Sequence, residues 1–172
     1  MATWSEFAAA APEMAAVATS LWPGIHALAA GEAQVEGGQT FGVAYLATVR
    51  PDGGPRLHPF CPILADGSLF AAIPTSSPKG NDLRRDARCV IHATPGPEDD
   101  ELCIRARARE VADAAIRRGV VDVVSRSGVG GMIETTSADP LFEFDIERVD
   151  ASRWLDIGQP GTRAERMRWV AP

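Results

Sequence analysis

The residues best suited to chemistry are two hydroxyls and a lysine at the start of a short predicted helix, in the run Ser76-Ser77-Pro78-Lys79. Ser77 is a favourable N-cap, and Pro78 fits the first helical position, where its missing N–H costs nothing. The N–H groups at such an end attract anions, whereas a first-turn Lys opposes the helix dipole. Two interpretations stay open: an anion site held by Lys79, or a capped surface helix with a solvated Lys.

Arg56 is a second cation that could converge on such an anion, because it begins a strand of the predicted sheet. The run Tyr45–Val49 is rich in β-formers and is followed by a turn cluster. A second strand, Pro55–Leu64, reaches Asp66-Gly67, which favours a tight type I′ hairpin. Ser68–Ile73 returns as a third strand. Two successive hairpins predict an antiparallel meander, and therefore a barrel or a sandwich.

Three prolines make the second strand unusual. Pro55, Pro59 and Pro62 each lack an N–H group, so regular pairing on both sides is excluded. We expect this strand to be bent, or to lie at an open seam of a barrel with some backbone groups left free.

The flanking segments complete the prediction. A capping box at Thr3–Glu6 precedes N-terminal helices, and a loop follows over residues 31–40. Leu102–Val111 alternates as a strand with three arginines on one face. These either face solvent and pair with nearby acids such as Glu101 and Asp113, as we expect, or form the positive lining of a groove. Asp113 also fits as the cap of a helix. Two further strands are predicted at the positions Phe142–Glu147 and Trp154–Ile157.

Several runs, taken in order, resemble the pyridoxamine 5′-phosphate oxidase-like family over about residues 41 to 112. The runs are Gly54-Pro55-Arg56-Leu57-His58-Pro59-Phe60, Asp66-Gly67-Ser68-Leu69-Phe70, Ser77-Pro78-Lys79 and Asn81-Asp82-Leu83-Arg84-Arg85-Asp86-Ala87-Arg88. The resemblance implies a mainly β (α+β) fold, a six- to eight-stranded antiparallel split β-barrel with N-terminal and short flanking helices. It also implies a homodimer with FMN, or a deazaflavin coenzyme, in the groove between subunits.

The same resemblance implies where the cofactor lies. Arg56, Ser76, Ser77 and Lys79 would hold its phosphate, and the segment from His58 to Phe60 would run beside the flavin ring. The implied cofactor-binding residues are Arg56, His58, Pro59, Phe60, Ser76, Ser77, Lys79 and Asn81.

The implied activity is hydride transfer between a flavin and a small molecule in the dimer groove, by an FMN-dependent oxidoreductase. His58, the one titratable side chain beside the inferred ring, would be a proton donor or substrate contact, or else simply a packing residue. Two alternatives remain: a deazaflavin-dependent reductase, and a flavin carrier or sensor without turnover.

Length and composition limit the class of protein and the cellular compartment to be expected. The 172 residues fit one domain, with a helical extension over 1–40 and the barrel and tail over 41–172. A net charge of −6 argues against nucleic-acid binding. Three cysteines without paired spacing suggest reduced thiols in the cytoplasm, and no apolar run is long enough for a membrane span. The three histidines are too scattered for a metal site.

The tail, Arg163–Val170, mixes arginines with Trp169 and is too short to fold alone. It either covers the barrel of its own subunit or crosses to the flavin groove of a partner. Because it carries three arginines and few apolar residues, we expect it to reach the groove.

Overall fold

The computed structural model describes residues 1–32, 41–96 and 98–172, and these residues form an α+β split barrel. The helices are α1 (Trp4–Ala10), α2 (Pro12–Leu21), α3 (Pro23–Ala29), α4 (Pro78–Arg85), α5 (Ala114–Ser125) and α6 (Gly130–Ala138). The strands are β1 (Ala44–Val49), β2 (Pro55–Phe60), β3 (Ile63–Ala65), β4 (Ser68–Ala72), β5 (Arg88–Ala93), β6 (Glu101–Glu110), β7 (Leu141–Leu155) and β8 (Arg163–Val170). No helix in the described ranges is long and apolar enough to cross a bilayer.

The sheet is antiparallel and curled, in the order β2-β1-β5-β6-β7-β4-β3, with β8 paired to β7. The predicted fold class is confirmed, but the predicted meander is wrong. The single strand expected over Pro55–Leu64 divides at Cys61-Pro62 into β2 and β3, which occupy opposite ends of the sheet. Pro62 lacks the N–H that a continuous ladder needs, so the chain leaves one end of the sheet and enters the other. The open seam expected from the prolines therefore exists.

The local chemistry that starts the first helix and the tight hairpin is confirmed. Thr3 and Glu6 form the capping box of α1. Asp66 and Gly67 have φ values of 47° and 73°, as a type I′ turn requires. Ser5 donates to the carbonyl oxygen of Gly67 from both its N–H (2.9 Å) and its hydroxyl (3.1 Å), which fastens α1 to the β3–β4 hairpin. The loop predicted over residues 31–40 lies mostly outside the described residues.

The core lies on the inner face of the sheet and continues beneath the N-terminal helices. Trp4, Phe7 and Trp22 are at most 4% exposed and pack into the same cluster as the strand residues. Each large apolar side chain that is fully buried stabilises the fold by about 1.5–3 kcal/mol. The principal strand residues of this cluster are Leu46, Leu69, Ile91, Leu102, Ile104, Phe142, Phe144 and Ile146. Helices α1–α3 thus supply part of the core.

The arginines of β6 face outward as predicted, but their partners differ from those expected. Arg107 pairs with Glu147 at 2.8 Å, and Arg109 pairs with Glu143. Both acids belong to β7, the neighbouring strand, because directly opposite or diagonal positions across a ladder bring side chains within reach. Asp113 instead caps α5, accepting a hydrogen bond from the N–H of Ala115 at 2.6 Å.

The C-terminal region differs from its prediction in two ways. The strand expected at Phe142–Glu147 belongs to one 15-residue strand, β7, which also contains Trp154 and Leu155 but ends before Ile157, so the second expected strand does not exist separately. The tail pairs along its whole length with this strand, as β8. Trp169 lies opposite Val149, packs on the core and meets the ring of Phe7 at 5.3 Å. The tail is therefore a strand in the sheet of its own subunit and packs on that subunit's core, which is the first of the two placements considered for it.

The surroundings of His26, in α3, predict that the stability of the fold decreases at acid pH. Its Nε2 atom is buried without a hydrogen-bond partner in the described chain, and Trp4 lies 5.6 Å from its ring. Burial lowers the pKa of His26 below its usual 6.5. The unfolded chain therefore binds the proton first, and stability is lost as pH falls through 6.5 towards the folded-state pKa. We expect the melting temperature to fall as the pH is lowered from about 7.5 to about 5.5, an interval that extends about one pH unit to either side of the ordinary His pKa.

The matched variant for this prediction is His26→Phe, which keeps an aromatic ring and removes the titrating group. Its melting temperature should depend less on pH over the same interval, as measured by calorimetry. A variant whose pH profile is parallel to that of the parent would show that other groups cause the acid sensitivity.

Candidate functional site

The N-terminus of α4 has no side-chain capping bond. Ser77 occupies the N-cap position and Pro78 the first turn, as predicted, yet the hydroxyl of Ser77 makes no capping bond. Ser76 is exposed and Ser77 half-buried. The first N–H groups of a helix have no intrahelical acceptor. The start of α4 thus presents two hydroxyls. Among the described residues the N–H of Gly80 donates to the carbonyl oxygen of Ser77 at 3.1 Å, whereas the N–H of Lys79 has no acceptor.

Lys79 reaches from α4 to β2, the strand at the open seam. Its Nζ donates to the carbonyl oxygen of Pro59 at 3.0 Å, and the side chain is partly buried. Burial lowers the pKa of Lys79, while the nearby thiol of Cys61 acts in the opposite direction. The interpretation of Lys79 as a freely solvated lysine therefore does not describe this side chain, which is held between α4 and β2.

Arg56 lies on the inner side of β2 and is held by an acid of α4 that the sequence analysis did not single out. Its Nε contacts the Oδ2 atom of Asp82 at 2.6 Å. Thr48 donates to the same oxygen at 3.0 Å, and Arg85 contacts Oδ1 at 3.3 Å. The one local signal was the i,i+3 spacing of Asp82 and Arg85, which is common on helix surfaces.

Asp82 is ionised despite its burial. It is 2% exposed. Burial alone would raise the pKa of Asp82, but the hydrogen bonds from Arg56, Thr48 and Arg85 outweigh that effect and hold the pKa below its usual value. A buried carboxylate with three donors joins β1, β2 and α4 at one point.

The other predicted cofactor residues occupy different surroundings. His58 is half-buried on the same face of β2 as Arg56, since the two alternate with exposed neighbours. Phe60 is 7% exposed and packs near Phe144, so it belongs to the core. Pro59 is exposed on the outer face. Asn81 is exposed and accepts a hydrogen bond from Arg84 at 3.2 Å.

The outer face of β2 and β1 is apolar and open to solvent. Leu57 is 63% exposed and Tyr45 41% exposed. A separate cleft of about 490 Å³ has apolar walls that include Val49 and Val90. Its charged lining residues are Arg88, Arg105 and Glu147. Exposed apolar side chains on neighbouring strands mark a surface suited to contact with another molecule.

The described residues contain no cluster of three or more His, Cys, Asp or Glu side chains arranged to hold a metal ion. All three cysteines are free thiols. Burial raises the pKa of Cys89 to about 12, so this thiol stays protonated and unreactive at neutral pH.

No family model and no curated protein sequence matches this chain. Solved structures do resemble it. The heme storage protein HutZ of Vibrio cholerae superposes with a TM-score of 0.54 at 20% identity, over 61% of this chain and 81% of the other. A heme-binding protein of Mycobacterium smegmatis gives a TM-score of 0.53 at 20% identity, over 73% of this chain and 52% of the other.

A third similar structure comes from Clostridium acetobutylicum and is described as a protein of the pyridoxinephosphate oxidase family related to general stress protein 26. Its TM-score is 0.54 at 12% identity, over 74% of this chain and 84% of the other. At these identities the likeness establishes the fold, which is the split barrel found in the pyridoxine phosphate oxidase-like proteins.

Proposed function

We propose that this protein binds FMN with its phosphate at the start of α4 and is a flavin-dependent oxidoreductase acting on a small molecule. One observation carries the proposal. Two cations from separate elements lie at the same short helix: Arg56 of β2 binds Asp82 of α4, and Lys79 belongs to the first turn of α4, next to an N-cap serine, Ser77, whose hydroxyl makes no capping bond. Such an arrangement suits a phosphate, which needs several donors and positive charge.

The residues present fit the phosphate group of FMN. The hydroxyls of Ser76 and Ser77 and the N–H of Lys79 supply neutral donors, and the helix dipole adds partial positive charge. Arg56 uses only its Nε for Asp82, so its terminal nitrogens stay available within the described chain. Together these groups could neutralise a dianion without a metal.

A bound flavin supplies the redox chemistry, accepting and donating a hydride at its ring. The chain supplies position and surroundings. The seam beside β2 leaves backbone groups for the polar edge of a ring, since β2 pairs only with β1 among the described strands. His58 lies two residues from Arg56 on the same face and is suited to hold or donate a proton near that edge.

The exposed apolar face of β1 and β2 supports a homodimer, and the resemblance to the pyridoxamine 5′-phosphate oxidase-like family adds the expectation that the cofactor lies between the subunits. Leu57 and Tyr45 would be covered by the same face of a second copy, as a two-fold interface requires. We expect a dimer that buries more than about 1,000 Å². Leu57→Glu should place a charge in this interface and shift the protein towards monomer in light scattering at micromolar concentration.

The matched control for the dimer is Ile157→Glu, since Ile157 is also an exposed apolar residue, at 46%, but lies just beyond the end of β7. It should leave the dimer intact. A parent protein that is monomeric at micromolar concentration while holding its cofactor would rule out the shared site.

The identity of the ligand is tested by mass spectrometry of the small molecule released from the purified protein. FMN and a yellow flavin spectrum support the proposal. A deazaflavin would identify the alternative reductase. Heme would instead indicate a heme-binding protein, like the two heme proteins of the same fold. Bound FMN that no nicotinamide donor reduces would identify a carrier or sensor and overturn the assignment as an enzyme.

A further inference from the structure

Asp82 is costly to bury, and its surroundings show what offsets that cost. A carboxylate that is 2% exposed would destabilise the fold unless it is paired and hydrogen-bonded. Asp82 meets this condition through Thr48 of β1, Arg56 of β2 and Arg85 of its own helix. The three partners come from the elements that surround the proposed phosphate site.

The two guanidinium groups bound to Asp82 are held differently. Arg85 donates to Asp82 and also to the carbonyl oxygen of Val49, so it spans α4 and β1 as a tether. Arg56 is bound through Nε alone, at 2.6 Å, and its side chain is 24% exposed. Within the described residues its two terminal nitrogens have no acceptor. Arg56 is therefore fixed at one edge and open at the other.

The open edge of Arg56 has the geometry that phosphate recognition uses. The terminal nitrogens of a guanidinium form a planar fork that binds two oxygens of a phosphate at once. A free Arg side chain must lose rotamer freedom to reach that geometry, whereas a fork held by a buried carboxylate has already lost it.

We propose that Asp82 is a positioning residue for anion recognition: it fixes the guanidinium of Arg56 by its Nε edge so that the terminal fork faces the phosphate. This inference rests on the proposed function and assigns to Asp82 a part in it. Asp82 does not touch the phosphate, since both are anions, and acts only through Arg56.

The test compares FMN with riboflavin, which lacks the phosphate, by fluorescence titration of the flavin-free protein. Asp82→Asn keeps the size of the side chain and removes its charge. We expect FMN affinity to fall roughly tenfold or more, as for loss of a charge-assisted hydrogen bond, while riboflavin affinity stays nearly unchanged. A role in folding alone would lower both affinities together or neither. The control is Asp86→Asn, because Asp86 is an acid at the other end of α4 that pairs with Arg88 at 2.6 Å.

A second variant keeps the inference falsifiable if Asp82→Asn does not fold. Arg56→Lys preserves the positive charge but has no Nε edge and no fork, so it should lose most of the preference for FMN over riboflavin. Full preference in Arg56→Lys, or in a folded Asp82→Asn, would overturn the positioning role and leave the phosphate site in place. A parent protein without any preference for FMN would instead refute the proposed function itself.

Discussion

Trp169→Ala is expected to lower the free energy of unfolding by about 3 kcal/mol, near the lower end of the range for Trp→Ala in a core. Trp169 is only partly buried, but it packs on the core from β8, where its ring contacts that of Phe7 and its backbone lies opposite Val149 of β7. Truncation before Arg163 should cost more, because it also leaves the long strand β7 without its partner β8. Urea unfolding of the cofactor-free protein measures both effects.

The matched control on the same strand is Val170→Ala. Val170 is 60% exposed, so its truncation should change stability within about 0.5 kcal/mol. Flavin affinity provides the second readout: it should survive in Trp169→Ala at temperatures where the protein is folded. If stability stayed constant while flavin affinity collapsed, the tail would belong to the binding groove after all.

Removing either cation of the proposed phosphate site is expected to weaken FMN binding roughly tenfold or more, since a charge-assisted hydrogen bond contributes about 1.5–3 kcal/mol. The variants are Arg56→Ala and Lys79→Ala. Riboflavin affinity should change little in both. Lys79→Ala should also lower stability slightly, because the side chain is partly buried and donates to Pro59.

Arg84→Ala is the control for these two variants. It removes a cation from the same helix, but one that pairs with Glu110 at 2.6 Å outside the proposed site. FMN affinity should be close to that of the parent. Equal losses in Arg84→Ala and Lys79→Ala would mean that general positive charge, and not a defined phosphate site, attracts the ligand. Unchanged affinity in Arg56→Ala and Lys79→Ala would place the phosphate elsewhere.

The sequence alone determined the features that depend on neighbours along the chain. The capping box at Thr3, the Asp66-Gly67 turn and the start of α4 at Pro78 follow from side chains within a few residues of one another. The same holds for the alternation of β6, whose buried and exposed faces appear as predicted. The resemblance over the central runs then identified the fold.

Contacts between distant segments decided the rest. Pro62 signalled a disturbed strand, but only the strand order of the whole sheet shows that β2 and β3 lie at its opposite ends. The pairing of Arg56 with Asp82 spans 26 positions, and Trp169 meets Phe7 from the far end of the chain. No local pattern encodes such contacts, because they arise from the register and curvature of the whole sheet, which side chains select jointly when the core forms.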